Sequence, residues 1–68
     1  MQVSGERAAR ALERAGFELR GQRGRHRKLR HSDGRTVIVP MHRDLAPGTL
    51  RSILKQAGLS QEAFRALL

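Results

Sequence analysis

The chain has 68 residues, a formal charge of +8 at pH 7 and no cysteine, with a sequence pI near 11.9. A domain of this size buries only about 60% of the surface its unfolded chain exposes, which leaves no room for a cofactor cavity of the Rossmann kind; without cysteine, a disulfide framework and a thiolate zinc site are also excluded. The charge exceeds what solubility needs and points to a polyanion, most often nucleic acid, as the partner.

No repeat, low-complexity tract or long linker interrupts the chain, so residues 1–68 are expected to form a single domain. The N-terminal stretch MQVSGERAARAL lacks the continuous apolar run of a signal peptide, and no segment approaches the length of a membrane span. A cytoplasmic location with no membrane partner is expected. Ser4 is placed to cap a first helix, about residues 5 to 15, whose apolar positions Ala8, Ala11, Leu12 and Ala15 recur at helical spacing before Gly16 stops it. Phe17 and Leu19 then alternate with Glu18 and Arg20 as a short half-buried strand. Residues 25 to 31 and 36 to 40 form two more extended runs around Asp33-Gly34, a strong hairpin signal, and Pro40 puts the third strand at a sheet edge. Pro47 opens the next helix, along which Leu50, Ile53, Leu54 and Ala57 follow one face up to Gly58. Ser60 caps a last short helix, with Leu59 and Phe64 spaced as a hydrophobic staple.

The predicted order is α-β-β-β-α plus a short helix: an α+β fold in which a three-stranded antiparallel sheet carries its helices on one face. The other face then stays open to water, and alternate residues of each strand belong to alternate faces. The stretch GQRGRHRKLRH, residues 21 to 31, packs five Arg or Lys and two His into eleven positions. Within it Leu29 is the only strongly apolar side chain, so its parity should face the helices together with Arg27 and His31. His26, Lys28 and Arg30 should share the open face. A three-residue hairpin turn, which sets Leu29 opposite Val37 and buries Val37 and Val39, is favoured over a two-residue turn that would bury only Ile38.

A run of charge by itself marks a solvated face, and a lone His on a strand is ordinarily a polar surface residue. The neighbourhood adds a chemical reading here. Cations around an imidazole disfavour its protonated form, and the neutral form is the one that accepts a proton. The same cations would hold a phosphodiester against it, so one patch supplies both binding and a general base. On this reasoning His26 is the catalytic candidate, Arg23, Arg25, Lys28 and Arg30 are the RNA-binding candidates, and His31, sent to the core side, is structural. His42 is a candidate general acid only if the end of the third strand folds back beside the second. The three His lack a metal-ligand spacing, the six acidic residues are scattered singly, and no P-loop or catalytic triad is visible, so neither metal nor cofactor is expected. The two Phe read as core, so any grip on RNA would be electrostatic and shape-based rather than aromatic stacking.

These residues resemble the HicA toxins of bacterial HicA–HicB toxin–antitoxin systems. The resemblance covers nearly the whole chain and rests on Gly16-Phe17, the Gly-x-His of Gly24 to His26, Asp33-Gly34-Arg35, Val39-Pro40-x-His42, and Pro47-Gly48-Thr49-Leu50 through Gly58. It implies a double-stranded-RNA-binding-like fold, cleavage of mRNA by one essential histidine, here His26, and neutralisation by a HicB antitoxin, with a monomer when free and a hetero-oligomer with the antitoxin. Arg25 stands where the family commonly has Ser. An alternative of a different class is a non-catalytic double-stranded-RNA-binding module, which fits the same order and charge but commonly carries a Lys-rich start to its last main helix, where this chain has only Arg51 and Lys55. A basic DNA-binding protein ranks third, because no helix presents base-reading residues on one exposed face.

Overall fold

The computed structural model describes residues 2–68. Helix α1 spans Gly5–Arg14, strands β1, β2 and β3 span Phe17–Arg23, His26–His31 and Thr36–Pro40, and helices α2 and α3 span Pro47–Ala57 and Gln61–Leu67. This is the α-β-β-β-α-α order of a double-stranded-RNA-binding-like α+β fold. Each helix begins and ends where its sequence says it should. The Ser4 hydroxyl accepts a hydrogen bond from the Arg7 N–H at 3.1 Å, and the Ser60 hydroxyl accepts one from Ala63 at 3.0 Å, each satisfying a donor that the first helical turn leaves free. Pro47, which has no N–H to leave unpaired, opens α2, and Gly58 closes it at a φ of 69°, the left-handed conformation that glycine adopts without a Cβ penalty.

Alanine lets α1 lie close to the sheet. Ala8, Ala9, Ala11 and Leu12 are buried, and so is Gly5, where a Cβ would run into the Pro40 carbonyl. At that crossing the Gly5 N–H donates to the His42 carbonyl at 2.8 Å, and two residues before it the Val3 carbonyl accepts from the Leu45 N–H at 2.8 Å. The N-terminal segment is thereby tied to the loop that follows β3. Phe17, Leu29, Val37 and Val39 from the sheet meet Leu12, Leu50, Ile53, Ala57 and Phe64 from the helices in one core.

The sheet is antiparallel throughout, in the order β1-β2-β3. Leu29 lies opposite Val37, the register of the three-residue turn. In that turn Gly34 N–H donates to the His31 carbonyl at 2.9 Å, His31 N–H to the Arg35 carbonyl at 2.8 Å, and Gly34 takes a φ of 100°, the glycine position of a type I turn with a G1 bulge. Strand β1 is longer than its sequence suggests and reaches Arg23. The reason is a tight turn at Gly24-Arg25, with Gly24 at φ 58° and no non-glycine residue at positive φ, as a type II′ turn requires. Arg25 therefore belongs to the turn rather than to the second strand.

The β3 edge of the sheet is closed. On β3 the Ile38 N–H donates to the Gln56 side chain of α2 at 3.0 Å, and Pro40, two residues on, has no N–H to offer. Paired and donor-free positions of this kind close an edge to further strands.

Candidate nucleic-acid interface

Alternation along β2 divides the basic stretch between two faces. Leu29 is buried and Arg27 and His31 are half-buried, whereas His26, Lys28 and Arg30 are exposed. What lies beside them on β1 depends on an irregularity. Leu19 pairs with Leu29, but Gly21 rather than Arg20 pairs with Lys28, so the ladder carries one extra residue at Arg20. Counting by twos from the buried Phe17 would send Arg23 toward the helices; the bulge reverses the parity and sets Arg23 directly opposite His26. Gly21, now facing outward beside Lys28, has nothing within 4 Å of where a Cβ would stand. A shallow groove results, lined by Gly21, Gln22, Arg23, His26, Lys28 and Ile38. Next to it Arg20, Lys28, Arg30, His31 and Ser32 line a second depression.

Most of these cations are not neutralised. Arg20 approaches Glu18 at 3.5 Å, but among the described residues no carboxylate pairs with Arg23, Lys28 or Arg30. Glu18, opposite Arg30, is the acid of this face. Ile38 is 41% exposed, a large apolar side chain among the charges.

Of the residues singled out from sequence, Arg23, His26 and Lys28 share one groove, and Arg30 continues the same face. Arg25 does not join them. From the turn it lines a third groove with Ser4, Glu6, Gln22, Arg27, Met41, His42 and Arg43. His42 is there too. The end of β3 does run beside β2, with Pro40 opposite His26, but His42 follows on the other side of the hairpin from the His26 groove. Among the described residues, no three His, Asp or Glu side chains gather as metal ligands would.

His31 is a packing residue. Its ring stands edge-on to Phe17 with centroids 5.2 Å apart, its Nδ1 accepts the Asp33 N–H at 3.2 Å, and its other edge abuts Gly16, which holds a φ of 98°. The role of Arg35 is invisible in a linear reading. Its guanidinium pairs with the Asp33 carboxylate at 2.8 Å, donates to the Ala57 carbonyl at the end of α2, and lies 5.2 Å over the Phe17 ring. Asp33-Gly34-Arg35 is thus a clasp that fixes the hairpin to α2. Asp33 is held below the ordinary carboxylate pKa chiefly by the hydrogen bond from the Arg35 N–H; desolvation opposes this, and the hydrogen bond from the Arg35 side chain adds a further lowering that is smaller than either.

A small α+β domain with an open, cation-lined sheet face and an exposed His at the end of that face beside the β1–β2 turn has an order of motifs that can be compared with known families. Residues 5–59 match the family described as the HicA toxin of bacterial toxin-antitoxin systems. The chain belongs to the HicA toxin family. No curated protein matches it. As a HicA-family toxin it is one half of a toxin-antitoxin pairing, and no helix among the described residues is long and apolar enough to cross a membrane. The family's Gly-x-His segment is the β1–β2 turn with the first residue of β2, and its Asp-Gly-Arg segment is the clasp.

Proposed function

We propose that this HicA-family toxin is a metal-independent endoribonuclease that cleaves mRNA and is neutralised by a HicB-type antitoxin. The observation that carries the reading is the position of His26: exposed, at the start of β2, opposite Arg23 and in one groove with Lys28. An RNA phosphate held by those two cations lies within the reach of the imidazole. His26 removes the proton from a ribose 2′-hydroxyl, and the 2′-oxygen attacks the adjacent phosphorus. The bond from phosphorus to the 5′-oxygen breaks, and that oxygen takes a proton from water, leaving a 2′,3′-cyclic phosphate and a 5′-hydroxyl. Lys28 and Arg23 stabilise the charge that grows on the phosphoryl oxygens, and Arg30 binds the strand farther along the face. Ile38 offers an apolar surface to a base or ribose beside the scissile phosphate.

His42, which lines another groove, has no part in this step, and water serves as the acid. An antitoxin must cover the β2 face or present acidic groups to it, because several cations hold RNA there.

The test is the chemistry of the ends. RNA incubated with the purified protein in the presence of EDTA should be cut, and the fragments should carry 2′,3′-cyclic phosphate and 5′-hydroxyl groups. Fragments with 5′-phosphate and 3′-hydroxyl ends would rule out attack by the 2′-hydroxyl, and loss of cleavage in EDTA would rule out independence of metal.

A further inference from the structure

The groove on the other side of the β1–β2 hairpin is the second place where cations gather. Arg25, Arg27 and Arg43 line it together with His42, Met41, Ser4, Gln22 and Glu6. Three cations converge there from two separate parts of the chain: the hairpin, and the loop after β3 that the Gly5–His42 hydrogen bond fixes in place. None of the three is paired with a carboxylate among the described residues. The one acid in the lining, Glu6, is already paired with Arg10 at 3.1 Å. Three unneutralised arginines repel one another, and a bound polyanion relieves that repulsion.

The two grooves adjoin. Gln22 lines both, and its side chain pins the tip between them, accepting from Arg27 Nε at 3.0 Å and donating to the Gly24 carbonyl at 3.0 Å. Nothing lies within 4 Å of where a Cβ of Gly24 would stand, so the crest of the turn is free for a strand to pass over.

We infer that the groove of Arg25, Arg27, His42 and Arg43 is a second RNA subsite, which takes the phosphates and bases of a single strand after it has crossed the hairpin tip from the His26 face. This rests on the RNA-cleaving reading above and adds the path of the substrate. A single strand is the fitting ligand because the path turns round a hairpin edge on a molecule whose longest extent is 27 Å. A duplex is far too stiff, with a persistence length on the order of 150 base pairs. The arginines meet phosphates as point charges or as bidentate forks, and the His42 imidazole and arginine planes can stack on unpaired bases. Substrates that end near the scissile phosphate leave the subsite empty and should bind and react poorly.

The test uses full-length protein with His26→Ala, so that binding is read without cleavage, and two fluorescent RNA probes, a trimer and a decamer of uridine. Arg25→Gln with Arg43→Gln changes two exposed side chains and should leave the circular dichroism spectrum unchanged. Each lost phosphate contact flattens the log–log salt dependence by about 0.7 for a single strand, so the pair should lower the slope for the decamer by about 1.4 and its affinity about tenfold at 0.15 M salt. Trimer binding should not change. Equal losses for trimer and decamer would show a diffuse charge effect and overturn the subsite. So would a decamer bound as tightly by the double variant as by its parent while Lys28→Gln weakens it, an outcome that leaves the His26 face as an RNA site. If the parent binds neither probe, both readings fall together. A duplex that displaces the decamer more strongly than single strands do would overturn the single-strand path.

Discussion

The two faces of β2 are built from one six-residue run, yet they obey different rules. On the helix side Leu29 is buried between Leu19 and Val37, in contact with a core that allows little change. On the open side His26, Lys28 and Arg30 stand in water, their positions set by the backbone and not by packing. A strand can therefore carry stability on its odd residues and chemistry on its even ones. The two should separate under mutation.

The largest effect expected is on the open face. His26→Ala removes the proposed base and should slow cleavage by roughly 100- to 10,000-fold, with growth arrest on expression lost in step. Stability should move by no more than about 0.5 kcal/mol, the range of ordinary surface substitutions. Melting curves and a cleavage assay on the same preparation check both halves, and full activity in a folded variant would refute the assignment. Leu29→Ala, three residues on, should do the reverse. Truncating a fully buried Leu costs about 2 to 5 kcal/mol through lost transfer energy and the cavity left behind, and whatever fraction remains folded should cleave at the normal rate per folded molecule. A Leu29→Ala protein as stable as its parent would break the contrast.

Arg35 tests the seam between the faces. Its removal deletes an ion pair, a hydrogen bond to the last turn of α2 and a contact with the Phe17 ring, and hydrogen bonds to charged groups are worth about 1.5 to 3 kcal/mol. Arg35→Ala should cost about 2 kcal/mol, a fall in melting temperature of roughly 8 to 16 °C for a domain this small. Arg35→Lys should recover less than half, since an ammonium cannot serve the carboxylate and the carbonyl with one planar fork. Full rescue by Lys would mean that charge alone matters there.

Sequence periodicity carried most of the architecture, because caps, glycine stops and apolar spacing act locally. Ser4, Gly16, Asp33-Gly34, Pro47, Gly58 and Ser60 each mark a boundary that the structure respects. The open-face placement of His26, Lys28 and Arg30 followed from one buried Leu and strict alternation. Three features escaped: a bulge set by pairing across the β1–β2 hairpin, a two-residue turn inside a run that reads as strand, and a contact between residues far apart in the chain. The bulge at Arg20, which turns Arg23 toward His26, is a matter of pairing with β2 and leaves no mark in β1 beyond a glycine that also fits a loop. The turn at Gly24-Arg25 sets Arg25 with Arg27 and Arg43 and apart from Arg23, Lys28 and Arg30, on the side to which alternation from Leu29 already assigns an odd-numbered residue. Arg35 reads as one more surface charge until Ala57 and Phe17 are beside it.

The smallest effect concerns pH and the clasp. The Asp33 carboxyl accepts from the Arg35 N–H at 3.0 Å and pairs with its guanidinium, so its pKa in the folded chain lies below that of an ordinary aspartate, near 3.8. A depressed folded pKa means that the folded state binds fewer protons than the unfolded state across that interval, and stability rises with pH there. The contribution is complete above the unfolded value, near 3.8, and is lost as pH falls through the lower folded value. Asp33 is exposed, so solvent screens the pair and the effect is modest. Asp33→Asn should lower the melting temperature by a constant amount from pH 5 to pH 7, and the difference from the parent should shrink as the buffer is taken below pH 4. Asp44→Asn, which removes the same charge from a side chain with no hydrogen bond or ion pair among the described residues, controls for net charge and should show no such convergence. In an Arg35→Ala background Asp33→Asn should keep the larger part of its effect, because the backbone N–H of residue 35, the chief cause of the depression, stays in place and only the part due to the side chain is lost. A difference between parent and Asp33→Asn that stays constant down to pH 2.5 would show that the clasp acts by shape and not by the charge of Asp33.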